Sequence, residues 1–328
     1  MRRALKALAA LALVLPATAS TQRHVAPLHS QPSQLLLGVP PREVAARADA
    51  GMQMERGRSA IGELAELRRL ERALAALQPQ RPGTVDAYVV AIALDSDPVF
   101  AREARVAGEV LQRRYDAHGR TIVLAGSDGS GPSALPRGSP TSLAIVLARI
   151  AEVMDAREDA LILYTTSHGA PFGLYYHDGD QGYGAISPVR LAALLDETRI
   201  SNRLLILSAC HSGIFVPRLR SETTAIVTAA AADRTSFGCL AENDWTFFGD
   251  AMINRALRKP QSLGAAVAET QALVADWERQ IRERPSQPQV YLGAGTARWL
   301  APLERRMPQT ATQPTGRPAL ETSRAAAR

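Results

Sequence analysis

A histidine and a cysteine of this 328-residue chain stand where catalytic side chains are expected. His168 follows the apolar run 160–166, and Cys210 ends the apolar run 203–209. Both runs have the composition of buried strands in a parallel sheet, and catalytic groups gather at the carboxyl ends of such strands. If the two strands are neighbours, roughly 4.8 Å apart, both side chains face one crevice.

This pair of residue types is suited to nucleophilic catalysis. A thiol reacts as a thiolate near neutral pH when a base or an imidazolium lies beside it, and the same imidazole can protonate a leaving amine. Gly169 leaves its backbone N–H unobstructed, so that group and the N–H of Cys210 are candidates for stabilising a tetrahedral oxyanion. The pattern therefore indicates acyl transfer through a Cys/His pair.

Strands and helices must position these residues. In the sequence, short apolar runs alternate with segments whose apolar residues recur at helical spacing, a pattern typical of a parallel sheet covered by helices. Three helix starts are marked by an oxygen-bearing cap followed by proline, at 97–98, 139–140 and 187–188. A fourth helix is predicted to begin near Ser262 and to end before Pro285. The six candidate strands are 85–94, 121–125, 160–166, 203–209, 224–230 and 289–292.

The amino terminus has the features of a signal peptide. A positively charged start at 1–6 precedes an apolar stretch at 7–15, and Ala17 and Ala19 offer the small side chains that a signal peptidase accepts. We expect export, a mature chain that begins near Ser20, and a periplasmic or secreted location. A retained signal anchor is the alternative.

Composition excludes two classes of function. The formal net charge of +6 arises at the two ends of the chain, and the region between residues 20 and 300 is neutral, without a basic stripe. With aromatic residues at only 5%, nothing is built to bind a phosphate backbone or to stack bases, so no nucleic-acid partner is expected. No stretch reaches the roughly 20 consecutive apolar residues of a spanning helix, which excludes a multispan membrane protein.

Three segments, each at a strand end and in this order, resemble the legumain (asparaginyl endopeptidase) family of cysteine peptidases. They are SHGAPFGL at 167–174, SACHSGIF at 208–215, and TAAAADRTSFGC at 228–239 followed by DWTFFGD at 244–250. The resemblance covers about residues 85–300 and points to a bacterial, exported branch. It implies a caspase-like α/β fold, an open, mostly parallel six-stranded sheet with helices on both faces. It also implies that Cys210 is the nucleophile, His168 the general acid/base and Gly169 an oxyanion donor, with no cofactor.

The chain departs from the legumain pattern where specificity is set. Legumains carry an acid just before the catalytic histidine and a glutamate two residues before the cysteine, whereas this chain has Ser167 and Ser208. The Arg-His pair with which legumains read an asparagine side chain is replaced by the acidic stretch 95–98. We therefore expect weak or no preference for asparagine before the cleaved bond.

Three residues are candidates for the substrate pocket: Ser208, Ser236 and Asp250. Asp250 would be a carboxylate without its usual cationic partner. Such a charge tolerates a basic or hydrogen-bond-donating substrate side chain better than an acidic one.

Other uses of the reactive residues have weaker support. Cys210 and Cys239 are the only cysteines, and in an exported protein two cysteines can form a disulfide; Cys239 is otherwise expected to be a small buried residue. A metal site built from four of the polar residues is conceivable but lacks helical metal-ligand spacing, so no metal is expected. Those four are His168, His177, Asp178 and His211. His211 should face away from the crevice, and His177 belongs to a Gly-rich hairpin.

The predicted organisation is a signal peptide at 1–19, a linker at 20–58, an amphipathic helix at 59–78, a caspase-like peptidase domain at 84–300 and a disordered tail at 301–328. The helix is either an accessory helix packed on the domain or a pro-segment over the active site. Two functions are consistent with these features. One is a cysteine endopeptidase acting on peptides or proteins through an acyl-enzyme, and the other is a catalytically idle binding or scaffold protein on the same fold.

Overall fold

The computed structural model describes residues 29–31, 33, 38–127 and 133–326. The predicted signal peptide and most of the first half of the predicted linker lie outside the described residues. The predicted linker also contains helix α1 (Pro41–Asp49) and the short strand β1 (Gln53–Glu55), which the composition of the segment did not reveal.

A six-stranded sheet in the order β10-β9-β8-β4-β2-β3 forms the centre of the fold. Five strands are parallel and only β10 runs antiparallel, against β9. All six predicted strands are found in it, which confirms the fold class. They are β2 (Ala87–Ala93), β3 (Thr121–Leu124), β4 (Ala160–Thr166), β8 (Arg203–Ser208), β9 (Thr224–Thr228) and β10 (Gln289–Leu292).

Helices begin where the capping pattern predicts. Proline occupies the first position of α3 (Pro98–Arg114), α4 (Pro140–Val153) and α5 (Pro188–Glu197), where a missing N–H costs nothing. Two short helices, α6 (Val216–Leu219) and α7 (Phe247–Gly249), precede α8 (Leu263–Ile281). Ser262 caps α8 by accepting a hydrogen bond from the Ala265 N–H at 3.2 Å.

The sheet separates two apolar cores, because successive side chains of a strand face opposite sides. In β2, Val89 and Ala91 pack into the core under α3 and α8, whereas Tyr88, Val90 and Ile92 pack into the core under α4 and α5. Every β2 residue is buried, as expected for a parallel strand covered on both faces. Helices therefore cover both faces of the sheet.

A second, antiparallel sheet in the order β1-β7-β6-β5 lies at the end of β4. It consists of β5 (Gly169–Ala170), β6 (Gly173–Asp178), β7 (Gly182–Ile186) and β1. The hairpin predicted around His177 is formed by β6 and β7, and His177 lies on β6, paired with Tyr183. The shortness of β5 and β1 explains why the sequence did not reveal the whole sheet.

Helix α2 (Ala60–Ala75) matches the predicted amphipathic helix, and the Ser59 hydroxyl caps it through the Gly62 N–H. Its apolar stripe is buried only toward the carboxyl end. Leu70 and, just beyond the helix, Leu77 are buried, whereas Ile61 is 84% exposed and Leu64 and Leu67 are about half exposed. Only this part of the predicted stripe packs on the domain.

The prediction of disorder after residue 300 differs from the structure. Helix α9 (Ala297–Arg306) buries Trp299 and Leu303, and a last helix, α10 (Ala319–Ala326), follows. Between them the chain is held by side chains of the domain: the Trp245 Nε1–H donates to the Thr315 carbonyl at 2.8 Å. Composition could not show this, because polar contacts rather than apolar residues hold the segment.

None of the helices within the described residues is long and apolar enough to cross a bilayer.

Candidate active site

The pairing of β4 with β8 brings the two predicted catalytic segments together. Thr166 pairs with Ser208 in parallel register, and the Ser167 N–H donates to the Ser208 carbonyl at 3.2 Å. His168 and Cys210 each follow this last pair by two residues. A Cβ placed on Gly169 would lie 2.1 Å from the Cys210 carbonyl oxygen, so only glycine allows the two chain segments to approach this closely.

The sulfur of Cys210 is partly exposed and is surrounded by backbone and hydroxyl groups of Ser236. The Ser236 N–H points at Sγ, with 3.2 Å between nitrogen and sulfur, and the Ser236 Oγ and carbonyl oxygen each lie 3.6 Å from Sγ. A directed N–H stabilises negative charge on the sulfur. Ser236 is therefore beside the predicted nucleophile, as expected of a residue of the pocket.

Two backbone N–H groups at the site are available to a substrate oxygen. Within the described residues, the Cys210 N–H makes no hydrogen bond. The Tyr175 N–H donates to the His168 carbonyl at 3.0 Å, which makes this a hydrogen-bonded pair of the antiparallel ladder. In such a ladder the next residue, Gly169, is in a non-hydrogen-bonded pair and turns its N–H away from the partner strand.

His168 lies between a carboxylate and an aromatic ring. Its Nε2 is 3.6 Å from Asp97 Oδ2, and the Phe100 ring contacts the imidazole edge-on with 5.0 Å between ring centroids. Burial lowers the pKa of His168, but the contact with Asp97 and the charges of Asp95 and Asp97 outweigh it, so the pKa is above its usual value. The environment therefore favours the imidazolium.

Asp97 was identified from the sequence only as a helix cap. In the structure it begins α3 but makes no side-chain cap hydrogen bond; its carboxylate faces His168 and His29 instead. The contact with His168 lowers the pKa of Asp97 by more than burial raises it, so the carboxyl group is ionised at neutral pH. The signal available in the sequence was the acidic stretch that replaces the Arg-His pair of legumains.

Next to this pair, Asp95 lies almost completely buried between two imidazoles. His29 Nε2 is 3.7 Å from Asp95 Oδ1, and His177 Nδ1 is 3.8 Å from Asp95 Oδ2. Burial raises the pKa of Asp95 to about 6 and lowers the pKa of His177 to about 4. Sequence reasoning placed His177 in a hairpin but did not connect it with His29 or Asp95.

Ser208 does not line a substrate pocket, which corrects the prediction. It is 2% exposed, and its hydroxyl donates to Glu103 Oε1 at 3.0 Å beneath the site. The prediction failed because Ser208 is the last residue of β8 and its side chain faces the core under α3.

Glu103, on α3, forms a polar floor under the site that the sequence did not reveal. Its Oε1 accepts hydrogen bonds from Tyr164, Thr166 and Ser208, and its Oε2 accepts from the backbone N–H and hydroxyl of Thr246, each at 2.9 Å. One buried carboxylate thus connects the ends of β4 and β8 with the segment before Phe247. Five donors satisfy the charge without a cation.

Asp250 also does not belong to the pocket, which is a second correction. It is fully buried, it forms an ion pair with Arg255 at 3.1 Å, and it accepts hydrogen bonds from Asn254 and from the Ala319 N–H. The cationic partner that the sequence analysis expected to be missing is therefore Arg255, five residues further along a π-helical segment (Asp250–Arg255). Asp250 holds the carboxyl-terminal segment rather than a substrate.

The remaining polar residues lie apart from the chemistry. Cys210 and Cys239 are both free thiols, and Cys239 packs beside the apolar cluster of Val99, Phe100 and Ala125. Burial raises the Cys239 pKa well above its usual value, which keeps this thiol protonated and unreactive. Among the described residues, the His211 ring forms no hydrogen bond with a residue of the site. Its Nδ1 lies 2.9 Å from the Ala232 carbonyl oxygen instead.

Comparison with known proteins bears on this arrangement. Residues 142–290, a little under half of the chain, match the sequence profile of the Peptidase C13 family. The match confirms the resemblance to the legumain family that the three sequence segments indicate, whereas the bacterial, exported branch stays a prediction. The matched region contains both His168 and Cys210 and supports cysteine peptidase activity, with peptides or proteins as substrates. No curated protein sequence matches the chain at a significant level.

Among solved structures, the chain is similar to caspase-1 from Spodoptera frugiperda. The two are 14% identical, the match covers 66% of this chain and 88% of the caspase chain, and the TM-score is 0.43.

Proposed function

We propose that the protein is a cysteine endopeptidase in which Cys210 is the nucleophile and His168 the general acid/base. The observation that carries this proposal is the β4–β8 register, which places both residues two positions beyond the same strand pair. The peptidase C13 match covers both of them. The idle scaffold alternative finds no specific support, since both thiols are free and the Cys210 sulfur is partly exposed.

The proposed reaction proceeds in two steps. The Cys210 thiolate attacks the scissile carbonyl carbon, and the N–H groups of Cys210 and Gly169 stabilise the oxyanion. The His168 imidazolium then gives its proton to the departing amine, which leaves a thioester between the acyl group and Cys210. In the second step the neutral imidazole takes a proton from water as the oxygen of that water attacks the thioester, which releases the acid and restores the Cys210 thiolate beside the His168 imidazolium.

Substrate specificity follows from the charges near the site. Asp95 and Asp97 occupy the place of the Arg-His pair of legumains, and Arg102 is engaged with the carbonyl groups of Ala241 and Asn243. We propose that the enzyme has no strict requirement for asparagine before the cleaved bond and disfavours aspartate there, because Asp97 would repel it.

A peptide-library digest with four matched proteins tests the proposal. The wild type should cleave, whereas Cys210→Ala and His168→Ala should each lose about three orders of magnitude or more in turnover. Cys239→Ala serves as the control that removes a thiol elsewhere and should retain activity. Full activity in a folded Cys210→Ala protein would refute the assignment.

Export is also proposed, on the charged start, the apolar stretch and the small residues at Ala17 and Ala19. Amino-terminal sequencing of the protein recovered outside the cytoplasm should give a chain that begins near Ser20. An intact Met1 in the cytosolic fraction would contradict it.

A further inference from the structure

His29, Asp95 and His177 converge at the carboxyl edge of the sheet, beside the proposed catalytic pair. Asp95 lies two residues beyond the end of β2, and the backbone on either side of it is hydrogen-bonded to β6. The His177 N–H donates to the Leu94 carbonyl at 3.0 Å, and the Ser96 N–H donates to the His177 carbonyl at 2.9 Å. His29 reaches the same place from the amino-terminal segment, and its ring stacks on His177 with 4.1 Å between centroids. Three separate parts of the chain thus meet at one point.

Two polar atoms at this point are buried without a hydrogen-bond partner among the described residues. They are Asp95 Oδ2 and His177 Nε2. The Asp95 side chain is only 1% exposed, and no arginine or lysine of the described residues comes within ion-pair distance of it. Leaving a carboxylate buried without a compensating cation is costly, so the arrangement lacks a positive charge.

We propose that His29, Asp95 and His177 bind a divalent transition-metal ion of the zinc class. Two imidazole nitrogens and one carboxylate oxygen form a ligand set that zinc accepts, and the three ligand atoms lie within 4.8 Å of one another. Tetrahedral zinc with bonds of about 2.0–2.1 Å needs its ligand atoms roughly 3.3 Å apart, so atoms that now lie up to 4.8 Å apart would move closer by up to about 1.5 Å on binding. A fourth position stays open to water.

The Asp97 carboxylate contacts the ring nitrogen of His29 that would not bind the metal, as is usual for metal-binding histidines. Asp97 Oδ1 lies 3.2 Å from His29 Nδ1, so the opposite nitrogen, Nε2, faces Asp95. In the structure Nε2 is hydrogen-bonded to the Ser96 hydroxyl at 2.6 Å, and the ion would replace that hydrogen bond. A carboxylate on the far nitrogen fixes the ring orientation and raises its basicity as a ligand. The other oxygen of Asp97 faces His168, so the metal site and the proposed dyad share this residue.

Metal binding would hold the amino-terminal segment at the entrance of the site. Ser30 and Gln31 already donate three hydrogen bonds to the Asp180 carboxylate, next to His29. An ion on His29 would add a second fixed point to the same segment. The metal site itself does not depend on the catalytic assignment, because no proposed ligand takes part in the reaction.

The test uses the full chain, freed of metal with a chelator and then titrated with Zn²⁺ alone in a calorimeter. Because a thiol and an imidazole can also bind zinc, all proteins carry Cys210→Ala. We expect one zinc ion per chain and a rise in melting temperature on binding. His29→Ala should weaken binding at least tenfold, and Asp95→Asn should do the same while preserving the shape of the buried side chain.

His118→Ala is the matched control, since it removes an exposed histidine that contacts only Gln112 among the described residues. It should leave zinc affinity unchanged. Melting curves without metal establish that each variant is folded. Zinc binding that is equally tight in the wild type, His29→Ala and Asp95→Asn would overturn the proposal, and so would the absence of stoichiometric zinc binding by the wild type.

Discussion

Replacing Asp97 by asparagine should shift the pH dependence of catalysis without removing it. The substitution keeps the size of the side chain and takes away the charge that faces His168 Nε2 at 3.6 Å. It leaves α3 intact, because the Asp97 side chain makes no cap hydrogen bond. The change therefore isolates the electrostatic contribution of one carboxylate to the proposed general acid.

The magnitude follows from Coulomb's law. At 3.6 Å the attraction between an imidazolium and a carboxylate is about 1 kcal/mol when screened as in water and about 5 kcal/mol at an effective dielectric constant of about 20. The His168 and Asp97 side chains are 41% and 24% exposed, so the weaker value applies. Since one pKa unit corresponds to about 1.4 kcal/mol, we expect the His168 pKa to fall by about one unit.

The sign of the effect on activity is fixed by the role of His168. The imidazolium must be present to protonate the leaving amine, and a raised pKa keeps it protonated to higher pH. In Asp97→Asn the alkaline limb of the pH profile of kcat/KM should therefore move about one unit toward lower pH. The limb belongs to the coupled thiol–imidazole pair rather than to His168 alone, so its shift is measured against the wild type.

The assay is peptide hydrolysis across pH in the presence of a chelator, which separates this effect from metal binding. Asp116→Asn is the matched control, because it removes a carboxylate that pairs with Arg81 at the opposite edge of the sheet. An alkaline limb that stays within a few tenths of a unit in Asp97→Asn, or that moves equally in Asp116→Asn, would refute the reasoning.

Two further predictions concern stability and specificity. Glu103→Gln should lower the free energy of unfolding, measured in urea, by about 2–5 kcal/mol, because an amide NH₂ replaces one of the two acceptor oxygens and leaves buried donors unpaired. The control, Glu109→Gln, changes an exposed residue of the same helix and should have little effect. Equal stability of the two variants would contradict the role of Glu103 as a polar floor. The specificity test uses matched peptides that carry asparagine, aspartate, arginine or alanine before the cleaved bond. Their kcat/KM values should differ little, except that the peptide with aspartate should be cleaved poorly. A selectivity for asparagine of about tenfold or more would show that a cation at the site binds the asparagine side chain.

The main sheet could be predicted from the sequence because its signals are local. Apolar runs of four to ten residues mark each strand, and proline after a capping residue marks three helices. The adjacency of the two chain segments that carry His168 and Cys210 then follows from the pairing of β4 with β8. Their chemical roles remain predictions.

The polar network could not be predicted, because its partners come from distant parts of the chain. Glu103 lies in a helical stretch rich in arginine and glutamate and has no local mark of burial, since its five donors come from four residues far along the sequence. Asp250 was assigned to the pocket for the same reason: the contact with Ala319 that explains its burial lies across the fold. Local sequence patterns predict helices and strands, but they do not show which distant residues will donate hydrogen bonds to a buried carboxylate.

The central claim is tested most directly by covalent labelling with a peptidyl electrophile that mimics the acyl group of a substrate. Mass spectrometry should find one label per chain, on Cys210, with loss of peptidase activity in proportion to labelling, and His168→Ala should slow the labelling strongly. Cys239 is half-buried like Cys210, but desolvation raises the pKa of its thiol well above the usual value, so it should remain protonated and unlabelled. A label on Cys239 instead, or full peptidase activity in a protein completely labelled at Cys210, would contradict the account.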